Sequence, residues 1–253
     1  MESQIVTAVE IARELTVIRF NHHHGLVMAH HSAVGVGPSE GDASPATARE
    51  VGYFATRVVV MHVLATGATP VVMVNNLASA DPVLREGLER GSREFLAESG
   101  LLDLPFSYAH EVLGALPITA MGLTLVGEWE EERFKLGKAQ EGDDLFLIGH
   151  PLRAPEHRFA RNDTIMPSVR HLLSVLPHAH DLIPVGSAGV FRAAEALAET
   201  AGLRFRAKEH LPGWLGQPTA SLASAFLAAL PAGQSQRAYA VPVPVTHVGR
   251  LEG

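Results

Sequence analysis

The stretch Val51-Gly52-Tyr53-Phe54-Ala55-Thr56-Arg57-Val58-Val59-Val60-Met61-His62-Val63-Leu64-Ala65-Thr66-Gly67 sets the architecture. Val51, Phe54, Val58, Met61 and Ala65 recur at helical spacing, which predicts a helix over about Thr47–Thr66. Val59, Val60, Val63 and Leu64 fill the remaining sides, so the helix is apolar nearly all round and has to be buried. Gly67 suits the position just past its end. Arg57 and His62 are the polar exceptions, and each needs a partner inside the protein.

Working outward, Leu15–Phe20 and Leu26–Ala29 read as strands joined by the turn Asn21-His22-His23-His24-Gly25. Val34 to Pro45 reads as a loop rich in glycine and small residues. Val71–Val74 is a short buried strand. Asp81-Pro82 caps a second helix ending near Gly100, with Leu84, Leu88 and Phe95 inside and Arg/Glu pairs on a solvated face. Ile118–Val126 and Asp144–Ile148 read as strands. Between Gly149 and Asp163 the texture turns to Pro, Arg and His, which predicts a boundary between domains 1–150 and 151–253. The second part carries predicted helices near Ile165–Val175, Val190–Ala201 and Thr219–Leu230. Val241, Val243 and Val245 alternate with prolines, which predicts a sheet edge.

Composition narrows the chemistry. The chain has 253 residues, 47% hydrophobic, enough for one large core or two modest ones. With no cysteine, disulfides, thiolate metal sites and cysteine nucleophiles are excluded. A net charge of −7 argues against a nucleic-acid partner. Glu2, Glu10, Arg13 and Glu14 interrupt any signal-peptide core, and Val58–Ala65 is too short to span a bilayer, so a cytoplasmic protein without membrane contact is expected. Positive charge is nearly all arginine, lysine occurring only at Lys135, Lys138 and Lys208.

Three constellations bear chemistry. His30-His31-Ser32-Ala33-Val34-Gly35-Val36-Gly37 through Asp42 reads as a strand end, a glycine loop and a carboxylate. It is either a phosphate cradle, with Asp42 on a bridging cation, or an ordinary surface loop. Pro184-Val185-Gly186-Ser187-Ala188-Gly189 runs straight into a helix, either an anion site or a plain joint with Ser187 as N-cap. His178-Ala179-His180-Asp181 places two imidazoles on one strand face, as some metal hydrolases do, but without a recognisable set of further ligands. His150, His157, His171, His210 and His247 read as surface or satisfied positions.

Taken in order, these segments resemble the aminoimidazole ribonucleotide synthetase-like (PurM-like) superfamily, which includes thiamine-monophosphate kinase. Val51–Val58 and Leu64-Ala65-Thr66-Gly67-Ala68-Thr69-Pro70 are similar to its helix and A-x-G-A-x-P turn. Gly122–Gly127 and Glu141-Gly142-Asp143-Asp144 through Gly149 are similar to its T-v-i-G and G-D-x-l hinge. Within it the chain most resembles the α-ribazole kinase branch, through His31-Ser32 with Gly35, Gly37 and Asp42, through Phe54, Arg57 and His62, and through Pro184–Gly189 with Gln217-Pro218-Thr219-Ala220.

The resemblance implies an α+β protein of two domains. Its N-terminal sheet would pair with that of a second subunit into a barrel, and its C-terminal α/β domain is shortened. It further implies an ATP-dependent kinase acting on a small molecule, α-ribazole or a related nucleoside of cobamide salvage. Gly35, Gly37, Asp42, Gly186, Ser187 and Gly189 would bind the nucleotide. Asp42 and Glu111, with His31 and His62, would hold Mg²⁺ or Mn²⁺. The departures are specific: His31 and His62 stand where the branch keeps carboxylates, and Ser39 and Ala188 where it keeps lysines. They motivate a second reading, a ligand-binding or regulatory paralogue without phosphoryl transfer. A third is a metal-dependent enzyme using the histidine-rich mouth.

Overall fold

The computed structural model describes residues 6–109, 117–153 and 164–253. The chain forms two compact units, residues 1–63 with 69–128 and residues 64–68 with 129–253. The division falls at Glu128/Trp129 rather than near residue 150, because the strand Asp144–Gly149 is hydrogen-bonded into the second sheet.

The first unit contains β1 (Ala8–Ala12), β2 (Leu15–Arg19), β3 (His24–Val34), β4 (Val36–Gly37), β5 (Ser44–Pro45), α1 (Ala48–Ala65), β6 (Thr69–Leu77), α2 (Pro82–Glu98), β7 (Phe106–Ala109) and β8 (Ala120–Glu130). Six strands make one sheet in the order β1-β2-β3-β8-β6-β7. Val17, Val27, Ala29, Met73, Leu123 and Leu125 alternate into its buried face. The predicted second strand runs five residues beyond Ala29, so His30, His31 and Ser32 are strand residues rather than the start of a loop. Their polarity reflects the loss of burial toward the strand's end, where inward positions are only half-buried.

α1 is buried along nearly its whole length, as its all-round apolar character requires. Thr47 and Glu50 cap it reciprocally: Glu50 Oε2 accepts from Thr47 N (2.7 Å), and Thr47 Oγ1 accepts from Glu50 N (3.2 Å). Gly67 (φ +80°) closes it, with the Arg133 carbonyl 2.0 Å from where a Cβ would sit. α2 begins as predicted, the Asp81 carboxylate accepting from Val83 N at 2.9 Å. The sequence did not reveal how closely the two helices approach: a Cβ on Gly52 would lie 1.9 Å from Leu88 O, and one on Gly91 1.9 Å from Arg49 O.

The second unit contains β9 (Asp144–Gly149), α3 (Val169–Val175), β10 (Asp181–Pro184), α4 (Val190–Thr200), β11 (Arg204–Ala207), β12 (Ala225–Leu230), α5 (Ser235–Tyr239) and β13 (Val245–Glu252). Its sheet, ordered β10-β12-β9-β13-β11, is antiparallel throughout. Val190, Ala194 and Leu197 of α4 pack on Leu145, Leu147, Leu227 and Val248. Two expectations are corrected. Ala225–Leu230 is a strand between β10 and β9, not the end of a helix. Its Ala-Phe-Leu-Ala-Ala-Leu run is buried on both faces, and such a run carries no period to separate strand from helix. β13 lies inside the sheet, because Pro242 and Pro244 precede the strand and leave its ladder intact.

Candidate functional site

In the first unit the glycine loop is folded onto the segment before β8. Asp42 Oδ1 accepts from Thr119 N (2.7 Å), and Oδ2 accepts from Thr119 Oγ1 (2.7 Å) and Ser39 N (2.8 Å). Partial burial pushes the Asp42 carboxyl upward, but these three donors outweigh it and hold it below its ordinary value. Gly35 N–H donates to Thr119 O (2.9 Å), and its own carbonyl accepts from Ala43 N (2.8 Å). Gly37, at φ +155°, lies so close to Thr119 that a Cβ would come within 2.3 Å of Oγ1. Asp42 is thus a latch, and the glycines serve close packing within the loop.

His30 Nδ1 lies 3.0 Å from Thr124 Oγ1. With the Gly35–Thr119 bond, this contact runs β3 antiparallel to β8 and sets His31 beside Leu123. Leu123 in turn pairs with Asn75 of β6. His31 therefore belongs to the helix-facing side of the sheet, and His62 approaches it from the last turn of α1. Burial, then the nearness of His31, holds the His62 imidazole down to about 4, and burial lowers His31 as well. The two histidines that replace carboxylates in the resembled branch are brought together, and both are neutral near pH 7. Asn75 is fully buried, and neither atom of its amide has a hydrogen-bond partner. Nothing in the sequence pattern marked it. Arg57 is buried, and desolvation lowers it to about 10 despite the nearby Tyr53. Glu111 lies outside the described residues.

In the second unit, Val185 to Gly189 turns from β10 into α4. Gly189 (φ +89°) is the N-cap and supplies no side chain, so Ser187 is not the cap. Thr219 ties the turn back: its Oγ1 donates to Gly186 O (2.8 Å) and its N–H to Ser187 O (3.0 Å). Two motifs separated by thirty residues of sequence therefore form one structure. Gln217 O would lie 2.5 Å from a Cβ on Gly189, and the Gln217 side-chain oxygen accepts from the Arg153 guanidinium. Ser187 and Ala188 are exposed, and Gly186 has open space around it.

The His178/His180 reading is corrected. His178 lies in a 3₁₀ turn, and His180 Nδ1 sits 2.9 Å from both oxygens of buried Asp143. Among the described residues no group of three or more His, Asp or Glu side chains is arranged to hold a metal ion. No described helix is long and apolar enough to cross a membrane.

Neither a family model nor a curated protein sequence matches the chain. Solved structures do match. The thiamine-monophosphate kinase of Stenotrophomonas maltophilia K279a superposes with a TM-score of 0.65 at 15% identity, over 99% of this chain and 90% of that one. AaThiL in complex with AMPPCP and TMP gives 0.64 at 16% identity, over 94% and 84%. Thermotoga maritima PurL in complex with AMPPCP gives 0.64 at 12% identity, over 93% of this chain and 42% of that one. The class is thereby defined: an α+β fold shared with PurM-like proteins. Within that class, the fold is the one these thiamine-monophosphate kinases adopt over nearly the whole of this chain.

A fold of this class implies a divalent cation, and the donors present do not fit a hard one. Mg²⁺ and Mn²⁺ favour carboxylate and water oxygens. Here the Asp42 oxygens already accept three hydrogen bonds, and the pair facing each other between β3 and α1 is imidazole.

Proposed function

We propose that the protein is an ATP-dependent small-molecule kinase, with the 5′-hydroxyl of α-ribazole or a related nucleoside of cobamide salvage as acceptor. The observation carrying this reading is the fold, shared along nearly the whole chain with kinases whose solved relative holds an ATP analogue and TMP. The turn Gly186–Gly189 suits the phosphates, because Thr219 draws its carbonyls inward while the first-turn N–H groups of α4 lack helical acceptors. Catalysis in this reading comes from positioning and charge neutralisation, as phosphoryl transfer generally requires. The cation enters with the nucleotide.

We propose also that the chain is a homodimer through its first sheet. Val9, Ile11, Ile18, Leu26, Met28, Val72, Val74 and Val126 share the face opposite the helices and remain exposed or half-exposed, Ile11 at 83%. Met28→Glu with Val74→Glu is expected to give monomers by light scattering. An unchanged dimer would refute this interface.

The His31–His62 pair favours one alternative, a nucleotide-binding paralogue without phosphoryl transfer. Calorimetry with ATP, followed by a ³²P-transfer screen over nucleosides and thiamine monophosphate, separates the two. Binding with transfer supports the kinase, and binding without transfer supports the paralogue. No binding at millimolar ATP removes both.

A further inference from the structure

We infer that His31 and His62 stand in place of the cation rather than binding one: the chain itself holds no Mg²⁺ or Mn²⁺ and binds nucleotide equally well without either. The inference rests on the nucleotide-binding reading above and concerns how phosphate is met on the buried side of β3. A pair of carboxylates at these two positions would repel a polyphosphate unless a cation bridged them, since like charges at close range are costly. Imidazoles remove that repulsion. Burial and mutual proximity keep both rings neutral near pH 7, so each offers one N–H and one lone pair, and neither brings an anionic oxygen to a hard cation.

The surroundings agree. The carboxylate of Asp42 is spent on Thr119 and Ser39. The other polar side chain on this face of the sheet, two strands from His31, is the neutral amide of Asn75, buried and unpartnered. The helix-borne neighbour of His62 on the sequence side, Met61, is apolar and buried. The donor set at this place is thus neutral, where a Mg²⁺ site is built on charge.

Two measurements on the full chain test the inference. In the first, Mn²⁺ is titrated and followed by electron paramagnetic resonance. The free-ion signal is expected to stay undiminished by wild-type protein. His31→Asp combined with His62→Glu is expected to quench it by creating an oxygen site. Quenching by the wild type that disappears in His31→Ala/His62→Ala would overturn the inference, whether or not the carboxylate variant folds. In the second, the affinity for ATP is compared in excess Mg²⁺ and in EDTA. Agreement within about twofold is expected, and a loss of about tenfold or more in EDTA overturns the inference. Failure of ATP to bind under either condition removes only the nucleotide reading, and the Mn²⁺ titration still decides the cation question.

Discussion

The two glycine-bearing turns look alike in sequence and are built in opposite ways. In the loop Gly35–Asp42, the N–H of Gly35, the space beside Gly37 and the carboxylate of Asp42 are all used up by Thr119, Ser39 and Ala43. In the turn Gly186–Gly189, carbonyls are tied back by Thr219 and the residues at the tip stay exposed. Tying back carbonyls turns peptide N–H groups outward, whereas tying back N–H groups removes them from ligand chemistry. A glycine-rich stretch is therefore an anion cradle only when its donors are left over.

The sharpest break of this contrast is Gly37→Ala. Its Cβ would meet Thr119 Oγ1 at 2.3 Å and Asp42 Oδ2 at 2.8 Å, on a backbone that only glycine adopts without strain. The expected destabilisation is about 4 kcal/mol by urea unfolding, from overpacking and strain together. Asp42→Ala follows at about 2 kcal/mol, because the Thr119 and Ser39 donors lose their acceptor. Asp42 also predicts an acid limb. Its folded value lies below the unfolded one, so the stabilisation is complete above the unfolded value and disappears as pH falls through the folded one.

His62 gives a different pH window near the same loop. Its folded value of about 4 lies below the ordinary 6.5, so the unfolded chain takes up the proton first. Stability contributed by the neutral ring is complete above pH 6.5 and is lost as pH falls toward 4. The shift corresponds to about 3 kcal/mol, and the partial exposure of the ring reduces this to about 2 kcal/mol. His31 acts with the same sign. Denaturant midpoints of wild type and His62→Gln between pH 7 and pH 4 check this, and the variant should show the flatter profile. Equal slopes would mean that the ring is not held neutral.

The first unit was far more legible than the second, and the reason is periodicity. α1 announces itself because eighteen residues carry an apolar pattern, and α2 because Asp81-Pro82 and Gly100 punctuate it. Ala225–Leu230 does not, since a strand buried on both faces has no alternation to show. The α1–α2 contact was illegible for another reason. Gly52, Gly87 and Gly91 matter through what faces them across space, while sequence shows only that they interrupt good helices. Of the candidate site, the pairing of His31 with His62 and of Pro184–Gly189 with Gln217–Ala220 follows motif order. The engagement of Asp42 by Thr119, across 77 residues of chain, has no sequence signal.

On the other side of the contrast, effects on stability shrink and effects on ligand grow. Thr219→Val removes the Oγ1–Gly186 bond and keeps the backbone bond to Ser187, so about 1 kcal/mol is expected, restored by Thr219→Ser. Gly186→Ala is the smallest in stability. Its backbone does not lie in the left-handed region, and no atom stands within 4 Å of the new methyl, so unfolding should move by less than about 0.5 kcal/mol. The same methyl, however, enters the open space over the turn where phosphate would approach peptide N–H groups. ATP affinity is expected to drop about tenfold while the urea midpoint stays put. Gly37→Ala should do the reverse, losing stability with little direct effect on the contacts a nucleotide makes. If both glycines instead lose stability together, or if Gly186→Ala leaves affinity untouched, the turn is only another joint between strand and helix, and the contrast between the two loops fails.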